Sequence, residues 1–319
     1  MTRMILTRLG TAVLTVLLAA TLVFLAVQLL PGDVAQQVLG QDATPEAVEA
    51  MRTELGLDRP VLTRYGDWLL GLFTGDFGNS LVTREPVGPA LGLRLRNTLM
   101  IAVPTFVLGV ALAVYLGLVA GLNRDKAPDR VASGLALVGM SIPEFVTATL
   151  GVLLLAVTFP ILPAVVIDGD QATMGELFPA TILPIIVLTI SMTAYILRMT
   201  RTGVIDAMAS EFVTTAMLKG VRRRDVVIRH ALPTAILPTL NVLAINVAWL
   251  IGGVVVVEAV FNYPGLGSYM IEAVHNRDLP VIQSVAIVTA IIYSLANLAA
   301  DLGAMLLDPR QRTRQEAAA

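Results

Sequence analysis

The sequence contains no cysteine, only two lysines and only two histidines among its 319 residues. Without cysteine there can be no disulfide framework, no thiolate metal site and no cysteine nucleophile. The lysines Lys126 and Lys219 are followed by Ala127 and Gly220, whereas a phosphate-binding P-loop needs Lys followed by Ser or Thr. The chain therefore carries no P-loop, and any P-loop ATPase activity would have to reside on a separate chain.

The two histidines, His230 and His275, do not form the His-Glu-x-x-His pattern of a zinc enzyme. The sequence also lacks a Gly-x-Ser-x-Gly nucleophile elbow, and neither histidine lies inside an apolar block that could bring it to a buried serine. A membrane-embedded hydrolase is therefore disfavoured, and we expect no catalytic residue and no metal site.

Charged residues are scarce, at 14% of the chain, while 56% of the residues are hydrophobic. A soluble domain carries about 25% charged residues. The net charge of −2 argues against nucleic acid as a partner. The apolar residues are gathered in blocks near or above the roughly 20 residues that cross a bilayer as a helix. The composition predicts an all-α protein with several membrane spans.

Hydropathy predicts six transmembrane helices. Their approximate bounds are 9–30, 98–122, 131–157, 180–200, 236–260 and 282–307. The first block follows Arg3 and Arg8 and so resembles a signal peptide, but it extends to Leu30 and lacks a small-residue cleavage site. We interpret it as a span.

Lys and Arg are concentrated in alternate connections, which places those connections in the cytoplasm. In the N-terminal segment, the short connections and the tail, Lys and Arg lie before residue 9, between 123 and 130, between 198 and 229, and after 308. Segment 31–96 contains six further arginines, but it is too long for the charge rule to apply and is placed outside by parity alone. Segment 158–179 has no basic residue and segment 261–281 has only Arg277. The pattern predicts that both termini are cytoplasmic.

The spans divide the chain into an N-terminal segment with the first helix (1–30), an extracytoplasmic lobe (31–97), a five-helix core (98–307) and a cytoplasmic tail (308–319). The core contains a cytoplasmic loop at 201–235 and an outer loop at 261–281. In the lobe we expect a helix over Pro45–Leu55 and Gly-rich turns around Gly75 and Gly78.

The cytoplasmic loop is longer than a turn requires. Ser210 can cap a helix on which Met208, Phe212 and Ala216 share a face, and Gly220 can end that helix in a left-handed conformation. A second short helix is expected from Arg223 to His230. Such an apolar stripe fits either a helix lying on the bilayer, with neighbouring arginines on lipid phosphates, or a helix docked in a protein groove.

The same loop resembles the EAA loop of binding-protein-dependent ABC importers, in the form found in dipeptide and oligopeptide permeases. The matching residues are Phe212, Val213, Thr215, Ala216, Lys219, Gly220 and the run 229–233. Further segments that resemble this family are 30–33, 55–60, 75–78, 141–145, 257–267 and 307–310. The long first outer segment resembles the B subunit of these importers, while Glu211 stands without the Glu-Ala-Ala triplet of other branches.

The resemblance implies the type I ABC importer permease fold in the bacterial inner membrane. It implies that the loop is a coupling helix seated in an ATPase subunit, with Phe212 and Ala216 as packing contacts. The expected coupling residues are Glu211, Phe212, Thr215, Ala216, Lys219 and Gly220. For Glu211 and Lys219, solvated charges remain as plausible as a specific ion pair.

The resemblance also implies partners for the chain: a second homologous permease, two ABC ATPase domains and an extracytoplasmic substrate-binding protein. ATP and Mg²⁺ would bind the ATPases, and this chain would bind no cofactor. The family implies dipeptides, oligopeptides, glutathione, opines or nickel as substrates, with selectivity residing largely in the binding protein.

Several polar residues fall inside or beside the predicted spans, where an unpaired carboxylate is costly. The possible pore or gate residues are Glu144, Asn241, Asn246, Glu258 and Phe261. Asn297 and Asp301 are expected to be interhelical hydrogen-bond partners. Glu144 leaves open an alternative function, a self-sufficient secondary transporter or channel with an intramembrane proton site, although no inverted repeat supports it.

Overall fold

The structure, a computed structural model, describes residues 2–29, 34–39, 43–164 and 173–307. Within these ranges the chain is almost entirely helical. The first seven helices are α1 (Thr2–Gln28), α2 (Val34–Leu39), α3 (Pro45–Glu54), α4 (Val61–Thr74), α5 (Val87–Leu122), α6 (Ala127–Ser141) and α7 (Glu144–Val152). The next six are α8 (Met174–Met208), α9 (Glu211–Leu218), α10 (Arg223–Val226), α11 (Leu232–Val260), α12 (Leu266–Asn276) and α13 (Leu279–Leu307). Two π-helical turns, Leu153–Thr158 and Val227–Ala231, extend α7 and join α10 to α11.

Four helices of the described chain are long and apolar enough to cross a membrane unaided. They are α1 over Leu6–Gln28, α5, α8 and α13 over Leu279–Ala299, and each contains or overlaps a predicted span. The pair formed by α6 and α7 with its π turn brings the number to five if it is one span. The predicted span 236–260 lies within α11, in which Ile245–Val260 forms a shorter apolar stretch.

The predicted third span, 131–157, is not a straight helix, because α6 and α7 meet at an angle of 98°. Proline disfavours the helical conformation in the residue before it. Ile142, which precedes Pro143, is accordingly extended, with φ −95° and ψ 122°. Glu144 therefore begins α7 instead of lying in the middle of a continuous helix.

The centre of the bundle is the crossing of α5 and α8. Small residues recur at four-residue intervals on the buried face of α5: Gly109, Ala113, Gly117 and Gly121. A Cβ atom on Gly117 would lie 2.7 Å from the Cβ of Thr200, and one on Gly121 would lie 2.7 Å from the Cβ of Val204. The small residues therefore let the two helices approach closely, as is typical of membrane helix pairs.

On another side α8 contacts α11. A Cβ atom on Gly203 would lie 2.5 Å from the carbonyl oxygen of Ala235, so the two backbones touch at this point. The main apolar core extends between the same helices and includes Leu188, Met192 and Val257, all fully buried. Helix α8 thus links α5 to α11.

An ion pair joins α6 to α8 at the predicted cytoplasmic side. The guanidinium of Arg201 donates to both carboxylate oxygens of Asp129, with an Nη2 to Oδ2 distance of 2.7 Å. The backbone N–H of Asp125 and the hydroxyl of Ser133 also donate to this carboxylate, at 2.9 and 3.1 Å. Because Asp129 is buried, these four donors supply the hydrogen bonds that water would otherwise make.

The predicted elements of the lobe are confirmed. Helix α3 begins after Thr44, whose hydroxyl oxygen accepts from the N–H of Ala47 at 3.3 Å. Gly75 and Gly78 both adopt positive φ, at 79° and 74°, and form the expected turns.

Candidate functional site

Two regions at opposite ends of α11 bring together most of the candidate residues. Helix α11 has 29 residues, which at 1.5 Å per residue separates its ends by about 43 Å. The loop between α8 and α11, here called the elbow (residues 209–231), precedes its first turn. The outer loop follows its last turn; it covers residues 261–278 and not the expected 261–281, because α13 begins at Leu279.

The elbow contains the two short helices that the sequence predicts, α9 and α10, with the π turn completing the second. Gly220 ends α9 with φ +79°, as expected. The N–H of Gly220 donates to the carbonyl of Met217 at 3.0 Å, and that of Val221 to the carbonyl of Ala216 at 3.2 Å. These two bonds form a Schellman motif, which fixes the angle at which the chain leaves α9.

The inner face of α9 is attached to both long helices. Val213 is fully buried in an apolar cluster with Val204, Ala207, Val226, Ala231 and Ala235. Met208 and Ala216 pack against this cluster. Sequence reasoning missed Val213 as the anchor, although its i, i+3 relation to Ala216 is the signal that could have indicated it.

The outer face of α9 leaves apolar side chains exposed. Phe212 is 45% exposed and Leu218 is 83% exposed. Met217 and Ile228 are exposed as well. Of the other predicted coupling residues, Glu211, Thr215, Lys219 and Gly220 are all exposed.

The predicted single stripe of Met208, Phe212 and Ala216 is not observed. The helix is interrupted between Met208 and Glu211, so the i, i+4 relation across this break does not hold. Phe212 and Ala216 remain four residues apart on α9, about 40° from each other around its axis. Ala216 packs against the apolar cluster, whereas Phe212 is 45% exposed. Ser210 stands at the N-cap position, but its hydroxyl donates to the carbonyl of Ala207 instead of capping α9.

At the other end of α11, the outer loop is held by the carboxylate of Glu258, which is fully buried. One oxygen, Oε1, accepts from the hydroxyl of Thr98 at 2.5 Å. The other, Oε2, accepts from the backbone N–H groups of Gly267 and Ser268 at 2.7 and 3.1 Å. Thr98 Oγ1 in turn accepts from the N–H of Leu266 at 2.8 Å. Glu258 and Thr98 thus cap the N-terminus of α12, where backbone donors have no partner within the helix.

Two glycines give the Glu258 side chain and α11 the space to lie this close to the start of α12. A Cβ atom on Gly265 would lie 1.9 Å from Glu258 Oε1, and one on Gly267 would lie 2.5 Å from the Cα of Val255. The φ of Gly265 is −108°, so the requirement there is space and not backbone conformation.

A second set of bonds ties the loop to α5 and to the lobe. Asn97 Nδ2 donates to the carbonyl of Pro264 at 2.8 Å, and the Tyr263 hydroxyl donates to the carbonyl of Asn97 at 3.1 Å. Burial raises the pKa of the Tyr263 phenol above its usual range, so the hydroxyl remains a donor. Asp278 accepts from the hydroxyl of Ser80 and from the N–H of Leu81. We call this whole network, with Glu258, the outer clamp.

Sequence reasoning named only Glu258 and Phe261 in this region. Phe261 is buried next to the clamp. Asn97, Thr98, Tyr263 and Asp278 were missed, because each acquires its role from a contact with a distant part of the chain.

The remaining candidates do not join either region. The Glu144 side chain is partly exposed and makes no hydrogen bond or ion pair with any other described residue. Asn246 is buried and has a partner. The side chain of Asn241 lies outside the described part of the structure. Among the residues that the structure describes, no group of three His, Cys, Asp or Glu side chains could hold a metal ion.

Comparison with known families gives two matches that together span nearly the whole chain. Residues 1–108 match the N-terminal model of binding-protein-dependent transport system membrane components. Residues 113–313 match the model of the binding-protein-dependent transport system inner membrane component. The chain belongs to this family of inner-membrane permeases. It is the permease subunit of an ABC transporter, its transport depends on a binding protein and an ATPase, and it is not itself the catalyst of ATP hydrolysis.

Full-length relatives agree with the family match. A putative peptide transport system permease protein of Brucella abortus is 36% identical over 98% of this chain and 99% of its own length. A glutathione transport system permease protein of Salmonella choleraesuis is 34% identical over 93% of this chain and 95% of its own. A crystal structure of an amino acid ABC transporter with histidines is 20% identical, with a TM-score of 0.49 over 70% of this chain and 94% of that one, a likeness too low to add to the assignment.

Proposed function

We propose that this permease is the B-type subunit of an importer for dipeptides or oligopeptides. Six spans would run through α1, α5, the bent α6–α7 pair, α8, α11 and α13, with both termini in the cytoplasm. The chain would form half of the translocation pathway together with a second, homologous permease. Two ATPase domains would bind ATP and Mg²⁺ and drive the change in access.

The observation that carries the coupling proposal is the exposed apolar surface of the elbow. Phe212 and Leu218 are exposed on a helix that Val213 anchors to the bundle, about 100° and 140° around the helix axis from Val213. Exposed apolar side chains on a rigid element are typical of a protein docking site. An ATPase cleft that receives α9 would cover them.

The same packing supplies a route for movement. The Val213 cluster contains residues of α8, α10 and α11, so a displacement of α9 would be passed to two long helices at once. We infer that ATPase closure acts on the bundle as a rigid-body movement of this kind.

The substrate class rests on the relatives, whose names refer to peptide and glutathione transport. Peptide is the class we propose. Selectivity would lie in the extracytoplasmic binding protein, which we expect to dock near the outer loop. The ligand that copurifies with this binding protein tests peptide against glutathione, an opine or nickel.

The sequence left open a secondary transporter with Glu144 as its proton site, and this carboxylate has no bonded partner among the described residues. Membership of the binding-protein-dependent family favours the ATP-driven importer over that alternative. A secondary transporter would use Glu144 as a proton site and would need no ATPase. Uptake into proteoliposomes by this polypeptide alone, abolished by Glu144→Gln, would favour that alternative.

The coupling proposal is tested by the double variant Phe212→Asp/Leu218→Asp. Two carboxylates on the docking surface should prevent the ATPase from binding, since burying unpaired charges is strongly unfavourable. The measurement is ATPase copurification with the tagged permease, together with uptake. Val82→Asp on the lobe is the matched control, because Val82 is also exposed and apolar but lies outside the elbow. Normal copurification by the double variant would contradict the proposal.

A further inference from the structure

Helix α4 has an apolar face that no other described part of the chain covers. None of the 14 residues of α4 is buried. Leu62 is 83% exposed, Leu70 67% and Phe73 75%. With 3.6 residues per turn these three positions fall within about 80° of one another around the helix axis. Such a face is costly in water and calls for an occupant.

The contacts of α4 fix its depth relative to the membrane. The hydroxyl groups of Tyr65 and Thr21 are 2.8 Å apart, and the rings of Tyr65 and Trp68 lie 5.1 and 5.6 Å from that of Phe24. Thr21 and Phe24 belong to the span Leu6–Gln28. Thr21 precedes the end of this span by seven residues, or about 10 Å along the helix. Helix α4 is therefore attached to α1 beside its apolar part and not beyond its end.

The other side of α4 faces the protein. Arg64 and Asp67 line a cavity of about 250 Å³ together with Leu279 and Gln283 at the start of α13. By helix geometry Arg64 lies on the side of α4 opposite the apolar face, and Asp67 lies beside that face, about 60° from Leu70. On α1, to which α4 is attached, Leu18, Leu22 and Leu25 are exposed as well. Lipid covers exposed leucines on a membrane span, and α4, attached to the same span, exposes side chains of the same kind.

We propose that α4 is an interfacial membrane helix whose face of Leu62, Leu70 and Phe73 is covered by phospholipid acyl chains. Tyr65 and Trp68 then lie where such side chains are enriched, at the membrane–water boundary. An amphipathic helix in this position binds through its buried apolar area. This proposal depends on the proposed orientation of the chain in one respect only, which is that the leaflet covering α4 is the outer one. Helix α4 thereby anchors the lobe to the bilayer.

The absence of cysteine from the chain permits a direct test with single spin labels. Leu62→Cys and Phe73→Cys place a label on the apolar face, and Thr74→Cys places one on its polar flank. Leu22→Cys is the lipid-exposed reference and Glu46→Cys, on α3, the water-exposed reference. Each variant is assembled with cysteine-free partner subunits, reconstituted in phosphatidylethanolamine and phosphatidylglycerol, and probed for collisions with oxygen and with a nickel chelate.

Labels at 62 and 73 should behave like the label at 22, with frequent oxygen collisions and nickel collisions several-fold below those at 46. The label at 74 should collide with the nickel chelate more often than those at 62 and 73. Nickel access at 62 and 73 equal to that at 46 would overturn the proposal, since the face would then be in water. Shielding from both reagents would overturn it too, because a second permease or the binding protein would then be the occupant. ATP-driven uptake measured on the same samples reports separately on the proposed function.

Discussion

The two ends of α11 differ in whether their side chains find partners within the chain. In the outer clamp, the buried carboxylate of Glu258, the Thr98 hydroxyl and the Asn97 amide all find their partners within the chain. In the elbow, an apolar cluster holds the backbone but Phe212 and Leu218 project without cover. A region that satisfies its own groups is built for rigidity, and one that leaves apolar groups exposed needs another molecule.

The comparison predicts that substitutions at the outer clamp act on folding, while those on the outer face of the elbow act on assembly. A single substitution at Gly265 is enough to break the outer clamp. The exposed side chains of the elbow can be changed while the Val213 anchor stays intact. The predictions below run from the largest expected effect on stability to the smallest.

The largest effect is expected from Gly265→Val. The new Cβ would occupy the position of Glu258 Oε1, which forces the carboxylate off the N-terminus of α12 and costs about 3 kcal/mol or more by overpacking. We expect little monodisperse protein after detergent extraction. Gly252→Val is the matched control, because a Cβ at Gly252 meets no atom within 4 Å. Equal yields from the two variants would mean that the clamp does not hold the loop.

A smaller effect is expected from Glu258→Gln. If the amide oxygen accepts from Gly267 and Ser268, the amide nitrogen faces Thr98, whose hydroxyl then loses its acceptor. Losing one buried hydrogen bond lowers the free energy of unfolding by about 1 kcal/mol. Glu258→Ala loses three such bonds, those to Thr98, Gly267 and Ser268. Thermal unfolding in detergent should therefore rank wild type above Gln and Gln above Ala. A Gln variant no more stable than Ala would contradict this geometry.

The smallest effect on stability is expected from Phe212→Asp/Leu218→Asp, the variant that should abolish ATPase binding. Both side chains are exposed in the isolated chain, and exposed substitutions usually change stability by about 0.5 kcal/mol or less. Its unfolding temperature in detergent should match that of the wild type. A large fall would place these side chains inside the fold and remove the contrast between the two ends.

Local chemistry made much of this architecture predictable. Apolar length identified α1, α5, α8 and α13, and the left-handed conformation of Gly220 followed from its position after an amphipathic segment. Pro143 was visible in the sequence, but the 98° bend depends on how α7 packs and could not be read from a hydropathy window. A proline indicates a break without fixing its angle.

The site was predictable only where it depends on neighbours in sequence. The end of α9 at Gly220 and the start of the second short helix at Arg223 were predictable from local sequence, while the packing of Val213 and Ala216 depends on α8 and α11. The outer clamp joins Thr98 to Glu258 across 160 positions. No spacing rule connects residues so far apart, and Asn97 and Thr98 look like ordinary polar residues near the start of a span.

The central claim, that the elbow docks into an ATPase, is tested most directly by a photo-crosslinking residue at the most exposed apolar position of α9. p-Benzoylphenylalanine in place of Leu218 should, on irradiation of cells that express the complete transporter, give a covalent adduct with the ATPase subunit. The same residue in place of Leu22, on the exposed face of α1, should give none. Adducts at 218 with lipid and none with the ATPase would contradict the account.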